Sequence, residues 1–375
     1  MNAVVSTNGT RIERAPKLNR TTRSLPIELD WARLDAARAA FTTRRVDLID
    51  ARFLLTDVRP EAGQVALARV RRLCHHTRLQ DPHGRRVTLF PGDEIIVSFG
   101  DRYAPQQFEA YVPDTIGPCH LVASGGIAAQ ATSWHSRIGR GPTEIDVLGV
   151  LGDLNGMPLT LARYAIDTPL EPVRPDKVIA VAGTSMDSGK TMSAAYLVRG
   201  LARAGMRVGA AKLTGTGACN DFYQVLDAGA AHVVDFTDAG YASTFQADAE
   251  DIENINACLL NALARRNVGV AIVEIADGLL QRETAALLSS ERFRASIDAI
   301  VFCAQDALGA QSGVDWLHAR GHNVVAVAGK LTAAPLAVRE AISVVDQPVL
   351  GLDGLADPFI APTLLGKPYQ DARSA

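Results

Sequence analysis

The sequence predicts an α/β protein in which a doubly wound parallel sheet, covered by helices on both faces, follows a small β-rich domain built as a barrel or sandwich. Three observations carry this expectation. An apolar strand, a glycine-rich loop and a helix follow one another over 178–202. Strand and helix patterns alternate from there onward. Before residue 168 the apolar runs are short, β-rich and separated by turns.

Taken in order, residues 1–25 are polar and arginine-rich without periodicity and read as a flexible arm. Apolar residues near helical spacing predict a short helix over 29–41. Within the β-rich domain, 26–167, strands are expected at 65–70, 86–90, 94–99, 108–112 and 144–148, punctuated by turns such as Asp81-Pro-His-Gly84 and Pro91-Gly-Asp93. Pro169, Pro172 and Pro175 fall within 168–177, a composition that favours extended chain and marks a linker. The last domain, 178–375, reads as strands at 178–182, 207–211, 270–274, 299–303, 324–328 and 348–352. Helices are expected at 192–204, 221–230, 254–266, 314–320 and 336–343. Continuous apolar strands of this kind belong to a parallel sheet buried on both faces.

The loop between the first strand and helix of that domain reads Gly183-Thr184-Ser185-Met186-Asp187-Ser188-Gly189-Lys190-Thr191, and Met192 opens the helix. Glycines let backbone N–H groups converge on one anion, and the helix N-terminus adds partial positive charge. Lys190 reaches terminal phosphates and the Thr191 hydroxyl is placed to ligate Mg2+. Residues 183–192 are therefore the expected nucleotide-binding segment of a P-loop NTPase domain. The usual pattern has four residues between its glycines; here Thr184 to Ser188 make five.

Composition narrows the classes. With 375 residues, 47% hydrophobic, there is material for two cores. A net charge of −3 argues against a nucleic-acid or membrane-surface protein, which would show a basic excess. No apolar run reaches the roughly 18 residues a membrane span needs, and the first fifty residues lack a hydrophobic signal core, so a cytoplasmic protein is expected. The five scattered cysteines read as reduced thiols. Cys74-His75-His76 and Cys119-His120 carry metal-type ligands without a tight ligand spacing, and partly buried, hydrogen-bonded side chains are the plainer reading.

In open α/β sheets ligands sit beyond the carboxyl ends of the strands. The second strand runs into Lys212-Leu-Thr-Gly-Thr-Gly217, and Asp221 follows. The strand over 270–274 ends in Glu274, then Ile-Ala-Asp-Gly278; a carboxylate there is costly to bury unless a cation or donors satisfy it. Asp221 is open between a Mg2+ ligand and a helix N-cap, with Asp227 and Asp238 as weaker metal candidates. Arg282 is a candidate contact to phosphate or an acidic substrate, though an exposed arginine at a helix start explains it almost as well.

The loop with five intervening residues resembles the P-loop branch that contains dethiobiotin synthetase, the cobyrinate amidotransferases and the molybdopterin-guanine dinucleotide adaptor. Min-type and nitrogenase-iron-type proteins of that branch carry an early trans-acting lysine where this chain has Thr184-Ser185. In dethiobiotin synthetases a K-x-x-x-[ST]-G element faces the γ-phosphate and the substrate carbamate. Lys212 and Thr216 match it, so the resemblance implies Lys190, Lys212 and Thr216 as catalytic residues and Thr191, Asp221 and Glu274 as metal ligands. Asp221 followed by Ala228-Gly-Ala230 is similar to the molybdopterin adaptor. By resemblance the later strand ends, with Asp306 and Lys330, border the base. The G-T-D-T-[DE] of dethiobiotin synthetases is replaced by Gly183-Thr-Ser-Met-Asp187, and the β-rich domain has no counterpart there.

The resemblance thus implies an ATP- and Mg2+-dependent phosphoryl-transfer enzyme, with GTP as a possible nucleotide, that activates a carboxylate or carbamate of a different small-molecule substrate. The alternative is a GTP-binding adaptor with slow or no turnover. A homodimer is implied by the same resemblance. A third class makes the β-rich domain the working module and the P-loop domain its regulator.

Overall fold

The computed structural model describes residues 26–167 and 171–366. The arm expected over 1–25 and part of the proline-rich linker lie outside the described residues.

The N-terminal part is a mixed β-structure whose central strands close into a ring. Strands β1 (Val65–Arg72) and β2 (Glu94–Phe99) pair antiparallel, and β2 pairs parallel with β4 (Ile127–Trp134). Strand β4 pairs with β3 (Pro118–Ala123), β3 with β5 (Thr143–Gly152), and β5 returns to β1. Closure removes the unpaired edges that an open sheet would present to other chains. Both faces of β1 are buried: Val65 and Leu67 belong to one apolar cluster, Ala66, Ala68 and Val70 to another that draws on all five strands. Phe108–Tyr111 pairs with the far half of β4 and carries Arg102–Tyr103 on its other side. A separate hairpin, Arg78–Gln80 with Arg86–Thr88, projects from the ring.

The C-terminal part is a six-stranded, wholly parallel sheet. Its strands are β6 (Lys177–Gly183), β7 (Val208–Lys212), β8 (His232–Asp235), β9 (Val270–Glu274), β10 (Ala299–Cys303) and β11 (Val324–Ala328), in the order β8-β7-β9-β6-β10-β11. Side chains alternate across β6 as the pleat requires. Ile179 and Val181 pack with α1 (Lys190–Arg203) and α2 (Cys219–Asp227), whereas Val178, Ala180 and Ala182 pack with α3 (Ala249–Ala264), α4 (Arg282–Ser289) and α5 (Ala307–His318). Each fully buried Leu, Ile or Val on these faces contributes about 1.5–3 kcal/mol relative to exposure. This is the expected doubly wound sheet of a P-loop NTPase fold, preceded by a β-rich part.

Several expected elements differ. The helix over 29–41 is confined to Trp31–Ala36, because Ala37 turns extended and Arg38–Ala39 pairs with β2. Ala218, not Asp221, is the N-cap of α2, and Asp221 lies in the first turn. The strand expected at 348–352 is a single bridge, Val327 to Val349, followed by a short helix at Leu352–Leu355. Strands β3, β4 and β8 were not expected.

The two parts meet across a tight seam. A Cβ on Gly125 would lie 2.0 Å from the Gly217 carbonyl oxygen, so the backbones approach as only glycine allows. The next residue, Gly126, packs as closely against Ala40. Arg44 crosses the seam to Asp235 and Asp238, and Gln80 of the hairpin accepts the Cys219 amide at the start of α2.

Candidate active site

The chain passes from β6 outward to β7 and β8, returns to β9 beside β6, then continues to β10 on the other side. The reversal makes the carboxyl end of β6 a topological switch point, and the glycine loop sits there. Gly183 must be glycine: an added Cβ would stand 2.2 Å from Ser188 Oγ and 2.8 Å from the Cys303 carbonyl oxygen. Asp187 and Gly189 take left-handed φ values of 64° and 99°, folding the loop over the start of α1. The first-turn amides of α1 have no intrahelical acceptor and point into the loop. Thr184 Oγ1 and Ser188 Oγ are buried in the loop without a hydrogen-bond partner among the described residues.

Lys190 is 6% exposed, and its Nζ donates to the carbonyl oxygens of Ser185 at 2.8 Å and Asp277 at 2.7 Å. Burial pulls its pKa down, opposed by Glu274. A buried cation whose hydrogen-bond partners are neutral carbonyls suits a phosphate that arrives with its own charge. Thr191 Oγ1 donates to Glu274 Oε1 at 2.8 Å. Parallel register sets Lys212 directly opposite Glu274 on neighbouring strands. Lys212 is ion-paired with Asp221; burial alone would lower its pKa, but Asp221 and Glu274 together hold it raised. Burial raises the Glu274 carboxyl, with Lys212 opposing.

Met186, Asp187, Gly189, Lys190, Thr191 and Met192 line a cavity of about 430 Å3, together with Lys212, Thr216, Asp221, Glu274 and Lys330. The expected catalytic and metal-binding residues are therefore brought together. Asp227 is exposed at the end of α2, Asp238 is committed to Arg44, Arg282 pairs with its neighbour Glu283, and Asp306 caps α5; none of them lines the cavity.

Two features escaped the sequence reading. Asp277 adopts φ 62°, faces the cavity, and is pushed up to about 6, first by burial. Its neighbour Gly278 is fixed because a Cβ would lie 2.2 Å from the Thr184 carbonyl oxygen. The opposite wall belongs to the β-rich part: His76, Arg102, Tyr103, Gln107 and Ser124 close the cavity over the glycine loop. No local motif could have announced that wall.

The donor set fits a hydrated divalent cation beside a phosphate: the Thr191 hydroxyl at the start of α1 and the Glu274 carboxylate at the end of β9 are hard oxygens in contact. Asp221 fits less directly, since its carboxylate neutralises Lys212. Among the described residues no group of three or more His, Cys, Asp or Glu is poised to hold a metal ion, the segments at Cys74 and Cys119 included. No helix among the described residues is long and apolar enough to cross a membrane.

No family model and no curated protein matches the chain. Among solved structures, it is similar to a DUF1611 family protein from Anabaena variabilis, with a TM-score of 0.36, 13% identity, and 53% of this chain and 62% of that one covered. It is also similar to the signal recognition particle 54 kDa protein from Aeropyrum pernix in complex with GDP, with a TM-score of 0.35 and 18% identity over 55% of this chain. The signal recognition particle receptor FtsY from Elizabethkingia anophelis gives a TM-score of 0.29 and 15% identity over 53% of this chain. The chain spans 50% of the length of the particle protein and 58% of that of the receptor. The P-loop NTPase fold rests on the chain's own strand order, glycine loop and strand-end residues.

Proposed function

We propose that the chain is an ATP- and Mg2+-dependent phosphoryl-transfer enzyme that activates a carboxylate or carbamate of a small molecule. The observation that supports this most is the convergence of buried Lys190 and partly buried Lys212 on one cavity with Glu274, whose strand β9 lies between β6 and β7. Phosphoryl transfer asks a protein for positioning and for positive charge around the equatorial oxygens. Lys190 and the loop amides hold the phosphates, and Thr191 with Glu274 would hold Mg2+, whose charge offsets that of the phosphates when bound. Lys212, released from Asp221, reaches the transferring group, and Thr216 lines the same cavity. A homodimer in the cytoplasm completes this reading, and sedimentation of the full chain checks the dimer.

The Lys212–Asp221 pair favours a second reading. A lysine held by its own carboxylate contributes little to a transition state, which suits a GTP-binding adaptor with slow turnover. Titration with Mg-ATP and Mg-GTP, followed by product release with and without small acids, separates the two. Acid-stimulated ADP release supports the enzyme; tight GTP binding without turnover supports the adaptor. Lys212→Met is expected to leave nucleotide affinity within about twofold and to remove turnover. Normal turnover in that variant would end its catalytic assignment.

A further inference from the structure

The wall facing the glycine loop carries an arginine with no carboxylate. Arg102 is 6% exposed, and burial pulls its pKa to about 9, with only Asp277 acting to raise it. One terminal nitrogen donates to Gln107 Oε1 at 2.6 Å. The other stands 3.3 Å from His76 Nε2, which is itself 3.1 Å from the Val122 carbonyl oxygen. An imidazole nitrogen either carries a proton for Val122 or offers a lone pair to Arg102, so one of these contacts goes unmet. Arg102 Nε is buried without any partner among the described residues. A guanidinium this enclosed is expensive to bury unless an anion completes its fork.

A second cavity, of about 290 Å3, adjoins the first, and His76, Gln107, Ser124 and Asn220 line both. Arg78 and Arg86, from the projecting hairpin, and His75 line its far side, and no aspartate or glutamate does. Arg86 donates to the neutral Asn220 side chain at 2.8 Å. Neither Arg78, Arg86 nor Arg102 forms an ion pair among the described residues, whereas the outward-facing arginines of the ring, such as Arg69 and Arg72, are paired with glutamates. Arg78 and Arg86 thus meet no carboxylate in the lining of this basin, and Arg102 stands at its edge beside His76 and Gln107.

We infer that the basin is the acceptor-binding site and that its occupant is a small acid with at least two anionic groups, gripped by Arg102 at the junction with the phosphate cavity and by Arg78 and Arg86 at the outer end. The inference rests on the phosphoryl-transfer reading only for the word acceptor; the anion site itself does not need it. It also gives the β-rich part a role, in which the hairpin and the Arg102 strand supply the substrate wall that the α/β part lacks.

Calorimetric titration of the full chain tests this, using citrate as a trianionic probe and propionate as a monoanionic one, with and without Mg2+ and a non-hydrolysable ATP analogue. Citrate is expected to bind and propionate to bind at least about tenfold more weakly, as one lost charged hydrogen bond implies. Arg86→Ala alters an exposed side chain and should fold normally; it and Arg102→Met are each expected to weaken citrate by roughly tenfold while leaving the ATP analogue within about twofold. Citrate affinity unchanged in both variants would overturn the site. Loss of analogue affinity in Arg102→Met with citrate unaffected would give Arg102 to the nucleotide instead. If the analogue fails to bind the unaltered chain, the phosphoryl-transfer reading falls, while citrate binding without nucleotide still decides the anion site.

Discussion

Thr191 donates its hydroxyl to Glu274 Oε1 at 2.8 Å, joining the first residue after the loop lysine to the last residue of the neighbouring strand. The contact depends on β6 and β9 being direct neighbours in register, with Val181 opposite Glu274. Because burial raises the Glu274 carboxyl, its ionised form is maintained by the donors around it. Glu274→Gln keeps the volume and the acceptor for Thr191 but removes the charge. The expected result is folding stability within about 1 kcal/mol of the unaltered chain and a loss of Mg2+ dependence in nucleotide affinity. Retained Mg2+ dependence would show that the cation is held elsewhere.

The Asp277 carboxyl is held at about 6, against an ordinary value of 3.8, chiefly by burial and in spite of Lys190 and Lys212. The folded chain therefore binds this proton more tightly than the unfolded chain does. Its contribution to stability is complete below the unfolded value and is lost as pH rises through about 6; the shift corresponds to about 3 kcal/mol. Asparagine tolerates the left-handed φ of 62° at this position. Urea unfolding of Asp277→Asn is expected to show a shallower decline in stability from about pH 4 to pH 7 than the unaltered chain. An unchanged slope would remove Asp277 as the source.

Gly329 ties the last strand to the loop. Its φ is 97°, and a Cβ there would stand 2.4 Å from the Ser188 carbonyl oxygen, the same oxygen that accepts the Lys330 amide at 2.9 Å. Backbone meets backbone, so no side chain can give way. Gly329→Ala is expected to cost about 3 kcal/mol or more and to weaken nucleotide binding, whereas Gly351→Ala, where the nearest atom is 3.9 Å away, should cost under about 1 kcal/mol. Thermal unfolding of the two variants side by side checks this; equal losses would mean that the loop yields.

What could be read in advance follows from range. The glycine loop, Lys212 and Glu274 are local signals, each a residue type at the end of an apolar run, and the cavity contains them all. Asp221 was legible as an acid near the site, but its tie to Lys212 depends on α2 starting at Cys219, two residues before the expected start. Strand β8 is only His-Val-Val-Asp, too short for periodicity to register. Strands β3 and β4 are a hairpin around Gly125-Gly126, which reads as loop until its partners β2 and β5 are known. Arg102 was illegible for a stronger reason: its meaning comes from the glycine-loop cavity that it faces, whose residues lie far along the chain and on the other side of the seam.

That seam has its own test in Arg44, which sets a guanidinium 3.1 Å from Asp235 and 2.8 Å from Asp238 while lying 4.1 Å over the Phe41 ring. Burial works against the charge of Arg44, and the two aspartates more than offset it, so its pKa is raised. Deleting the arginine would leave two carboxylates facing each other out of water, which costs about 3–5 kcal/mol, whereas removing all three charges together spares most of that. Arg44→Met is therefore expected to lose several-fold more stability in urea than the triple change Arg44→Met, Asp235→Asn, Asp238→Asn. Because Arg44 sits on the part that carries Arg102, the single variant should also loosen the wall over the glycine loop. Hydrogen exchange at 100–107 is the readout: faster exchange in Arg44→Met than in the triple variant supports a clamp, and equal exchange limits Arg44 to local packing.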